Sequence, residues 1–371
     1  MFLKDLQILQ FKNIGEAKIT LSPKVNCFLG NNGAGKTTVL DALYYLSFCK
    51  SFFNPIDSQN IKHDQDFFML DANFENNEEE IRVYCGLERG EKKRFKKNQK
   101  EYERLADHIG TIPLVMIAPA DTHLIREGSD KRRKLMDGII AQYNRGYLET
   151  LLQYNRTLAQ RNAMLKHFWA EGRKLDATAF EVFDEQLHAF GTDIHNERKR
   201  FLEGYLPIFS SFYKNISADT EQVSLQYESY LHEKPLSEWL NMTRQNDLRA
   251  QFTTKGIHKD DLQFMIGDHP LKKFGSQGQQ KSFVIAMRLA QFDYLKDLKS
   301  KKPILLLDDI FDKLDDHRVA ALMEMVADDH FGQIFITDAN LHRVPELFEN
   351  QKMPIKKFEV SSGQIKEVDN G

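Results

Sequence analysis

Cysteine is scarce in this chain, which has three in 371 residues: Cys27, Cys49 and Cys85. Each lies inside or beside an apolar segment, and their separations match neither a disulfide framework nor a metal-binding pattern. Long hydrophobic runs are also missing, since no stretch approaches the roughly 20 apolar residues that cross a bilayer. These absences predict a soluble protein of a reducing compartment, the cytoplasm, without a membrane partner.

An excess of charge of one sign is missing too. The chain has 51 lysines and arginines against 54 aspartates and glutamates, which gives a formal net charge of −3. Bulk electrostatics therefore do not indicate a nucleic-acid partner, and any such surface has to be local. The length of the chain suits two domains. Its apolar fraction of 41% is enough for a hydrophobic core in each of them.

What the sequence does contain is a glycine-rich segment near its N-terminus. Its residues are Gly30, Asn31, Asn32, Gly33, Ala34, Gly35, Lys36, Thr37 and Thr38. The pattern matches the P-loop, whose backbone N–H groups surround phosphate oxygens at the start of a helix. A glycine-rich segment alone could be an ordinary turn, but an apolar strand precedes this one and helical spacing follows it. We predict nucleotide binding, with Lys36 reaching the β- and γ-phosphates as a catalytic residue and Thr37 supplying a ligand to Mg²⁺.

A second element, the apolar run from Ile304 to Leu307, ends in Asp308 and Asp309. Such a pair alone could simply end a strand that faces solvent. With a P-loop in the same chain, Asp308 is predicted to hold Mg²⁺, directly or through water. Asp309 is predicted to be catalytic, because a carboxylate one residue further on can orient the attacking water or accept its proton.

A third segment, Gly275 to Gln280, precedes a stretch with helical spacing. Its helix N-terminus would offer N–H groups and a hydroxyl to a second phosphate contact, although Ser276 could also be a helix cap and nothing more. The order of these three elements resembles the ATP-binding-cassette (ABC) head. The resemblance implies that Ser276, Gly278 and Gln279 close on the ATP that the P-loop of a second subunit holds.

The same resemblance leaves some positions open. Leu314 and Asp315 look like the family's D-loop, which lies along the dimer interface. The switch histidine of transporter ATPases is replaced by Thr337 or Asp338, so its role is not carried over. No glutamine stands where the Q-loop is expected, around residues 117–121, and that metal contact is unassigned.

The predicted fold class is α/β: an ABC-type P-loop ATPase head with an antiparallel β subdomain and an inserted α-helical arm. Short strands are predicted at 2–11, 17–21, 67–74, 80–87 and 94–98. An antiparallel pair of arm helices, each roughly 40 Å long, is predicted from two sets of apolar residues: Leu148, Leu151, Leu158, Leu165 and Phe168, and then Phe180, Phe183, Leu187, Phe190 and Ile194. The predicted domains are 1–128 and 252–371, the two parts of the head, and 129–251, the arm.

Three further segments, 117–137, 254–261 and 275–281, resemble the RecF family of bacterial recombination mediators, which are relatives of SMC and double-strand-break-repair ATPase heads. The likeness runs essentially from end to end. The chain departs from it at Ile257, where the family usually has proline, at Lys259, where it has arginine, and at Ala120, where it has an acidic residue. None of these departures touches the phosphate-binding residues.

The RecF resemblance implies an ATPase that forms a homodimer on ATP and binds double-stranded DNA at or near single-strand junctions in gapped DNA. It also implies that the protein works with RecR and RecO to load recombinase. The basic runs Lys92 to Lys97 and Lys131 to Lys134 could neutralise phosphates, although surface charge runs are usually just solvated. An aspartate at 309, where glutamate is more common, predicts slow hydrolysis because the shorter side chain reaches water less well.

Other functions stay open beside this one. A transporter ATPase would be expected to carry the switch histidine and to pair with a membrane subunit. An SMC-type protein shares the head, but its arms run to hundreds of residues, which this chain cannot hold. A DNA clamp that does not hydrolyse ATP is the remaining alternative, and substitutions at Lys36 and Asp309 would separate it from an ATPase.

Overall fold

The computed structural model describes residues 1–76, 79–172, 177–219, 221–299, 301–310, 318–319, 330–339 and 354–368. The chain divides into two compact units. The first unit comprises Met1–Thr122, Phe212–Asp219 and Gln277–Gly371, and the second unit comprises His123–Ser211 and Thr220–Ser276. The domain boundaries after 128 and 251 stay a prediction, and in the structure residues 252–276 group with the arm helices.

The described residues form strands and helices that are numbered here along the chain. The strands are β1 (Phe2–Phe11), β2 (Ile14–Thr20), β3 (Val25–Leu29), β4 (Phe67–Asn76), β5 (Glu79–Glu88), β6 (Arg94–Lys97), β7 (Lys100–Glu101), β8 (Leu114–Ile117), β9 (Val223–Glu228), β10 (Asp261–Ile266), β11 (His269–Pro270), β12 (Ile304–Asp308), β13 (Ile334–Asp338), β14 (Ile355–Ser361) and β15 (Gln364–Val368). The helices are α1 (Lys36–Phe48), α2 (His123–Arg126), α3 (Ser129–Tyr143), α4 (Arg145–Ala170), α5 (Ala177–Ile216), α6 (Leu236–Ala250), α7 (Leu271–Phe274) and α8 (Gln277–Lys299). None of the helices in the described residues is long and apolar enough to span a bilayer.

A mostly parallel sheet of the first unit positions the P-loop. Within the described residues its order is β15-β14-β3-β13-β12-β8, and only β15 runs antiparallel to its neighbour. Every residue of β3, β12, β13 and β8 is buried, because such a sheet is covered on both faces. The carboxyl ends of β3 and β12, separated by β13 alone, therefore meet at one edge of the sheet.

An antiparallel sheet with the order β2-β1-β4-β5-β6-β7 forms the other layer of the first unit. Its strands alternate between buried and more exposed residues, as expected for a sheet with one face on the core. Phe11, Tyr45 and Phe68 pack edge to face in that core, with ring centroids 5.1 to 5.8 Å apart. Since α1 contacts strands of both sheets, it is buried on nearly all sides.

The turn between β1 and β2 is tighter than the sequence predicts. We expected β2 to begin at Ala17, but it begins at Ile14, which pairs directly with Phe11. Lys12 adopts the left-handed conformation, with φ of 52°, which allows two residues to reverse the chain. The turn consequently places Asn13 at the end of a short, well-defined hairpin.

The second unit contains α4, α5 up to Ser211, and a small sheet with the order β11-β10-β9. The predicted packing face of α4 is partly wrong. Its buried residues are Tyr147, Tyr154, Thr157, Arg161, Leu165 and Phe168, whereas Leu148, Leu151 and Leu158 are only half-buried. On α5, Phe180, Leu187 and Ile194 are buried as predicted, and Phe183 and Phe190 are half-buried.

Two fully buried arginines, Arg161 on α4 and Arg198 on α5, explain why the buried residues of these helices differ from the predicted hydrophobic pattern. Arg161 donates to Asp184 at 2.7 Å and to Asp247 at 2.9 Å. Arg198 donates to Asp260 at 2.8 Å and to Asp137 at 2.9 Å. A buried charge is tolerated when it is paired and hydrogen-bonded in this way, so polar side chains occupy positions where a hydrophobic pattern would place leucine.

Candidate nucleotide site

The glycines of the loop between β3 and α1 have backbone conformations that other residues rarely adopt. Gly30, Gly33 and Gly35 have φ of 154°, 79° and 119°. A Cβ on Gly30 would collide with the carbonyl oxygen of Val360, whereas a Cβ on Gly33 would meet nothing within 4 Å. The loop thus leaves open space beside its backbone, as a phosphate requires.

Lys36, the first residue of α1, is 6% exposed and folds back over the loop. Its Nζ donates to the carbonyl oxygens of Gly30 at 2.6 Å and Asn31 at 3.0 Å. These neutral acceptors hold the ammonium group at the mouth of the loop without cancelling its charge. The positive end of the α1 dipole lies at the same place, so two sources of positive potential converge there.

Asp308, the last residue of β12, contacts the first turn of α1, beside the P-loop as the sequence predicts. Both Thr37 and Thr337 donate from Oγ1 to Oδ1 of Asp308, each at 2.8 Å. Burial raises the pKa of Asp308, while the hydrogen bonds from Thr337 and Thr37 lower it. The two residues predicted to bind Mg²⁺ are therefore in direct contact within the first unit.

Thr337 has a second role that the sequence analysis missed. Its Oγ1 accepts a hydrogen bond from the backbone N–H of Asp309 at 3.0 Å. Asp309 is in the left-handed region, with φ of 46°, so the chain turns sharply after Asp308. One threonine thus contacts the carboxylate of Asp308 and the backbone of Asp309, and Thr337 is one of the two residues, with Asp338, that stand where transporter ATPases have a histidine.

Two hairpin turns hold the P-loop from outside. Asn13, in the β1–β2 turn, accepts from Thr38 Oγ1 at 2.7 Å and donates from Nδ2 to the Gly33 oxygen at 3.2 Å. Gly363, in the β14–β15 turn, donates its N–H to the Ala34 oxygen at 2.8 Å. Gly363 has φ of 76°, and a Cβ there would collide with the backbone carbonyl oxygen of Asn13. Sequence reasoning found neither residue, because their partners are far away along the chain.

Two cavities open beside this loop. One, of about 150 Å³, is lined by Asn13, Asn32, Gly33, Gly35, Lys36, Thr37, Thr38, Asp309 and Thr337. The other, of about 340 Å³, is lined by Gly30, Asn31, Asn32, Gly33, Ala34, Ala339, Glu359, Val360, Ser361 and Ser362. The residues present fit a nucleotide with Mg²⁺: glycines that leave room for phosphate, a lysine, and hydroxyl and carboxylate oxygens of the kind that Mg²⁺ binds.

The predicted signature residues lie at a helix start. Gly278 and Gln279 are in the first turn of α8, which begins directly after Ser276. A Cβ on Gly275 would come within 2.8 Å of the Leu271 oxygen, so the turn after α7 requires glycine. Gly278 and Gln279 do not line the two cavities at the P-loop.

Asp121 occupies the part of the chain where the Q-loop glutamine is missing. It is 3% exposed and accepts from Arg288 of α8 at 2.5 Å and from the Ala118 N–H at 3.0 Å. This residue thus ties the end of β8 to the middle of α8. The predicted D-loop residues, Leu314 and Asp315, lie outside the described residues.

Three residues of the two basic runs make contacts inside the fold. Arg132 makes two hydrogen bonds to Asp261, at 2.7 and 2.9 Å, and Arg133 donates to Ser129 Oγ at 2.7 Å. In the other run, the Lys93 ammonium pairs with Asp57 at 2.7 Å. These three residues are therefore paired within the fold, which differs from the solvated surface that the sequence left as the alternative to DNA contact.

The Asn13 contacts lead to a first prediction. We expect Asn13→Ala to weaken ATP affinity by up to about thirtyfold, because two hydrogen bonds of about 1 kcal/mol each hold the P-loop in shape. Titration with a fluorescent ATP analogue measures the change. Asn98→Ala, which removes a comparable bond to the Arg82 N–H from the β6–β7 turn, is the matched control. Equal affinity of the Asn13 variant and the wild type would contradict the role.

The family profile described as "RecF/RecN/SMC N terminal domain" matches residues 2–362. An SMC head bound to the C-terminal winged-helix domain of ScpA shares the fold, with a TM-score of 0.60 at 15% identity over 99% of this chain and 97% of that one. Fold and site thus define an ABC-type P-loop ATPase head of the SMC class, with an antiparallel β subdomain and an inserted helical arm, as predicted.

Closer similarities narrow the class. The chain is 49% identical to the DNA replication and repair protein RecF of Bacteroides thetaiotaomicron, over 99% of both chains. It is 48% identical to that of Flavobacterium johnsoniae, over 96% of this chain and 99% of the other. A structure of the recombination mediator protein RecF-ATP in the RecFOR pathway matches with a TM-score of 0.89 at 27% identity, over 99% and 98% of the two chains. The chain belongs to the RecF family of DNA replication and repair proteins.

Proposed function

We propose that this protein is an ATP-dependent DNA-binding recombination mediator. It forms a homodimer when ATP is bound, binds double-stranded DNA at junctions with single strands, and helps to load recombinase in gap repair. RecR and RecO are its partners, as the family resemblance implies, and its three free, buried cysteines are in keeping with the cytoplasm. Slow hydrolysis of ATP then releases the DNA.

The observation that carries this proposal is the contact of Thr37 with Asp308, 271 residues apart in the chain. It supports a single phosphate-binding site made of the P-loop and Asp308 at the end of β12. A solved RecF-ATP relative with the same fold supports ATP as the nucleotide. The lengths of α4 and α5, 26 and 40 residues, also favour a RecF protein over an SMC protein, whose arms are far longer.

In this proposal the residues of the site have different tasks. The backbone N–H groups from Gly33 to Thr37 bind phosphate oxygens, and Lys36 moves from its carbonyl partners to the β- and γ-phosphates. Thr37 and Asp308 would hold Mg²⁺, which would supply positive charge against the charge that develops on the phosphates. Asp309 orients the attacking water and accepts its proton.

The second half of the site comes from another subunit. Ser276 and the N-terminal turn of α8, with Gly278 and Gln279, bind the γ-phosphate held by the partner's P-loop. ATP then stabilises only the closed dimer, since the full set of contacts exists only when both heads are present. Hydrolysis removes the shared phosphate and opens the dimer.

Ser276→Arg tests this arrangement. We expect wild type to shift from monomer to dimer on addition of ATP and Mg²⁺ in size-exclusion chromatography with light scattering. The variant should stay monomeric while it binds ATP, because an arginine at the start of α8 blocks the approach of the second head.

Ser237→Arg is the matched control, since Ser237 is exposed on α6 and its replacement should leave the dimer unchanged. A Ser276→Arg variant that dimerises on ATP as wild type does would overturn the composite site. Gapped-DNA binding by the same samples separates the proposal from an ABC-type ATPase that does not act on DNA.

A further inference from the structure

The segment from Met242 to Lys259, in the second unit, has an unusual charge distribution for a chain with a net charge of −3. Its one acidic residue, Asp247, is fully buried and paired with Arg161. Arg244, Arg249, Lys255 and Lys259 supply only positive charge, and of these Arg244 pairs with Asp184. The outer side of the segment is therefore locally basic, as a polyanion would require.

The backbone that follows α6, residues 251–259, is called here the Phe252 loop. Buried side chains fix it at several points. The N–H of Thr253 donates to Asn162 at 2.8 Å, and the N–H of Thr254 donates to Asp247 at 2.9 Å. Arg198 donates to the Ile257 oxygen at 3.0 Å. The loop is thus held in one conformation by the same buried arginines and aspartates that join the helices.

His258 adds a further anchor to the Phe252 loop. Its Nδ1 is 2.8 Å from the hydroxyl oxygen of Tyr154, and its Nε2 is 3.0 Å from the Thr253 oxygen. Burial lowers the pKa of His258 to about 4, so the ring is neutral at physiological pH. The positive charge of the loop consequently comes from its lysines, whose positions the anchors determine.

Two side chains of the Phe252 loop, Phe252 and Lys259, are exposed between these anchors, and Lys255 is half-buried. Phe252 is 43% exposed, although it is a large apolar residue, and Lys259 Nζ lies 4.9 Å from the centroid of its ring. The Lys255 ammonium group is held by two other rings, with Nζ 3.6 Å from the centroid of Tyr230 and 5.0 Å from that of Trp239. An exposed aromatic ring beside fixed ammonium groups is the combination that single-stranded nucleic acids bind, by stacking of a base and neutralisation of phosphates.

We propose that the Phe252 loop binds single-stranded DNA. A base stacks on the exposed part of the Phe252 ring, and Lys255 and Lys259 neutralise the phosphates on either side. A duplex keeps its bases stacked inside and offers only phosphates, so the ring has no partner there. The inference rests on the proposed function and adds to it a site for the single strand beside a junction.

The test compares the affinity of the protein for single-stranded DNA with its affinity for duplex DNA. Full-length protein with ATP and Mg²⁺ is titrated against a labelled oligothymidylate and against a labelled duplex of the same length, with fluorescence anisotropy as the readout. We expect Phe252→Ala to weaken single-strand binding about fivefold to a hundredfold, the value of one stacked base. Duplex binding should change less than about twofold, since phosphate contacts remain.

Three further variants sharpen the test. Phe252→Trp keeps an aromatic face and should restore single-strand affinity, whereas Phe252→Leu, apolar but not flat, should not. Phe67→Ala is the matched control, because Phe67 is 40% exposed on β4 and follows Asp66 rather than a basic residue. An unchanged rate of ATP hydrolysis in all variants shows that each is folded.

Each outcome decides the proposal. Selective loss of single-strand binding in Phe252→Ala and Phe252→Leu, with rescue by tryptophan, supports it. Unchanged single-strand binding, or an equal loss for the duplex, overturns it and leaves the proposed function standing. A wild-type protein that binds neither DNA form overturns both.

Discussion

Lys36→Met should abolish the response of this protein to ATP. The ammonium group is held at the mouth of the P-loop by the Gly30 and Asn31 oxygens, within reach of any phosphate that enters. Methionine keeps the length and unbranched shape of the side chain but removes the charge. Because charge-assisted contacts to developing negative charge are worth about a hundredfold to a thousandfold in rate, we expect hydrolysis to fall by at least that much.

Phosphate-release assays under single-turnover conditions measure this loss, and the same samples should show neither ATP-induced dimers nor ATP-dependent DNA binding. Lys18→Met, at an exposed lysine on β2, controls for the general effect of removing a surface charge. Thermal unfolding of the Lys36 variant should resemble that of wild type. If the variant hydrolysed ATP within about threefold of wild type, a contact worth more than 1 kcal/mol could not exist there.

Asp309→Asn should separate ATP binding from hydrolysis. Asparagine has the same shape as aspartate and tolerates the left-handed backbone found at this position almost as well. The amide cannot accept a proton from water, so we expect hydrolysis to fall by about a hundredfold or more, the size of a general-base contribution. ATP affinity should change only a few-fold, and the ATP-bound dimer should therefore last longer.

Dimer lifetime after a chase with unlabelled protein, followed by energy transfer between labelled subunits, measures the second part of this prediction. Asp219→Asn is a matched control, because Asp219 is another aspartate with positive φ and lies outside the site. A variant that hydrolyses ATP as fast as wild type would assign proton acceptance to another group. Short-lived dimers with blocked hydrolysis would show instead that hydrolysis does not open them.

The parts of the nucleotide site that consist of consecutive residues could be predicted from the sequence. Gly30 to Thr37 fix both a backbone shape and a lysine, and the apolar run before Asp308 identifies a buried parallel strand. Since the carboxyl ends of parallel strands in one sheet share an edge, Thr37 and Asp308 were expected on the same side of the site, where they are in contact.

Other residues could not be predicted, for identifiable reasons. Asn13 and Thr337 look like ordinary polar residues, and their roles depend on which turn or strand packs beside the P-loop. The packing face of α4 was misjudged because Arg161 is fully buried, and a hydrophobic pattern assigns such a residue to the surface. The roles of Arg132 and Arg133 could not be decided for another reason. A run of basic residues looks the same in the sequence whether its side chains form ion pairs inside the fold or contact phosphates.

The position of β3 in its sheet has a consequence for synthesis of the protein. The strand that leads into the P-loop pairs on one side with β13 and on the other with β14, and both are made some three hundred residues later. The N–H that Gly363 donates to Ala34 comes later still. Contacts between residues so distant in the chain form slowly, and the apolar side chains of β3 stay exposed until these contacts form. A nascent or prematurely terminated chain therefore carries the whole P-loop sequence before its neighbouring strands exist, and the contacts around the loop are complete only after Gly363 has been made.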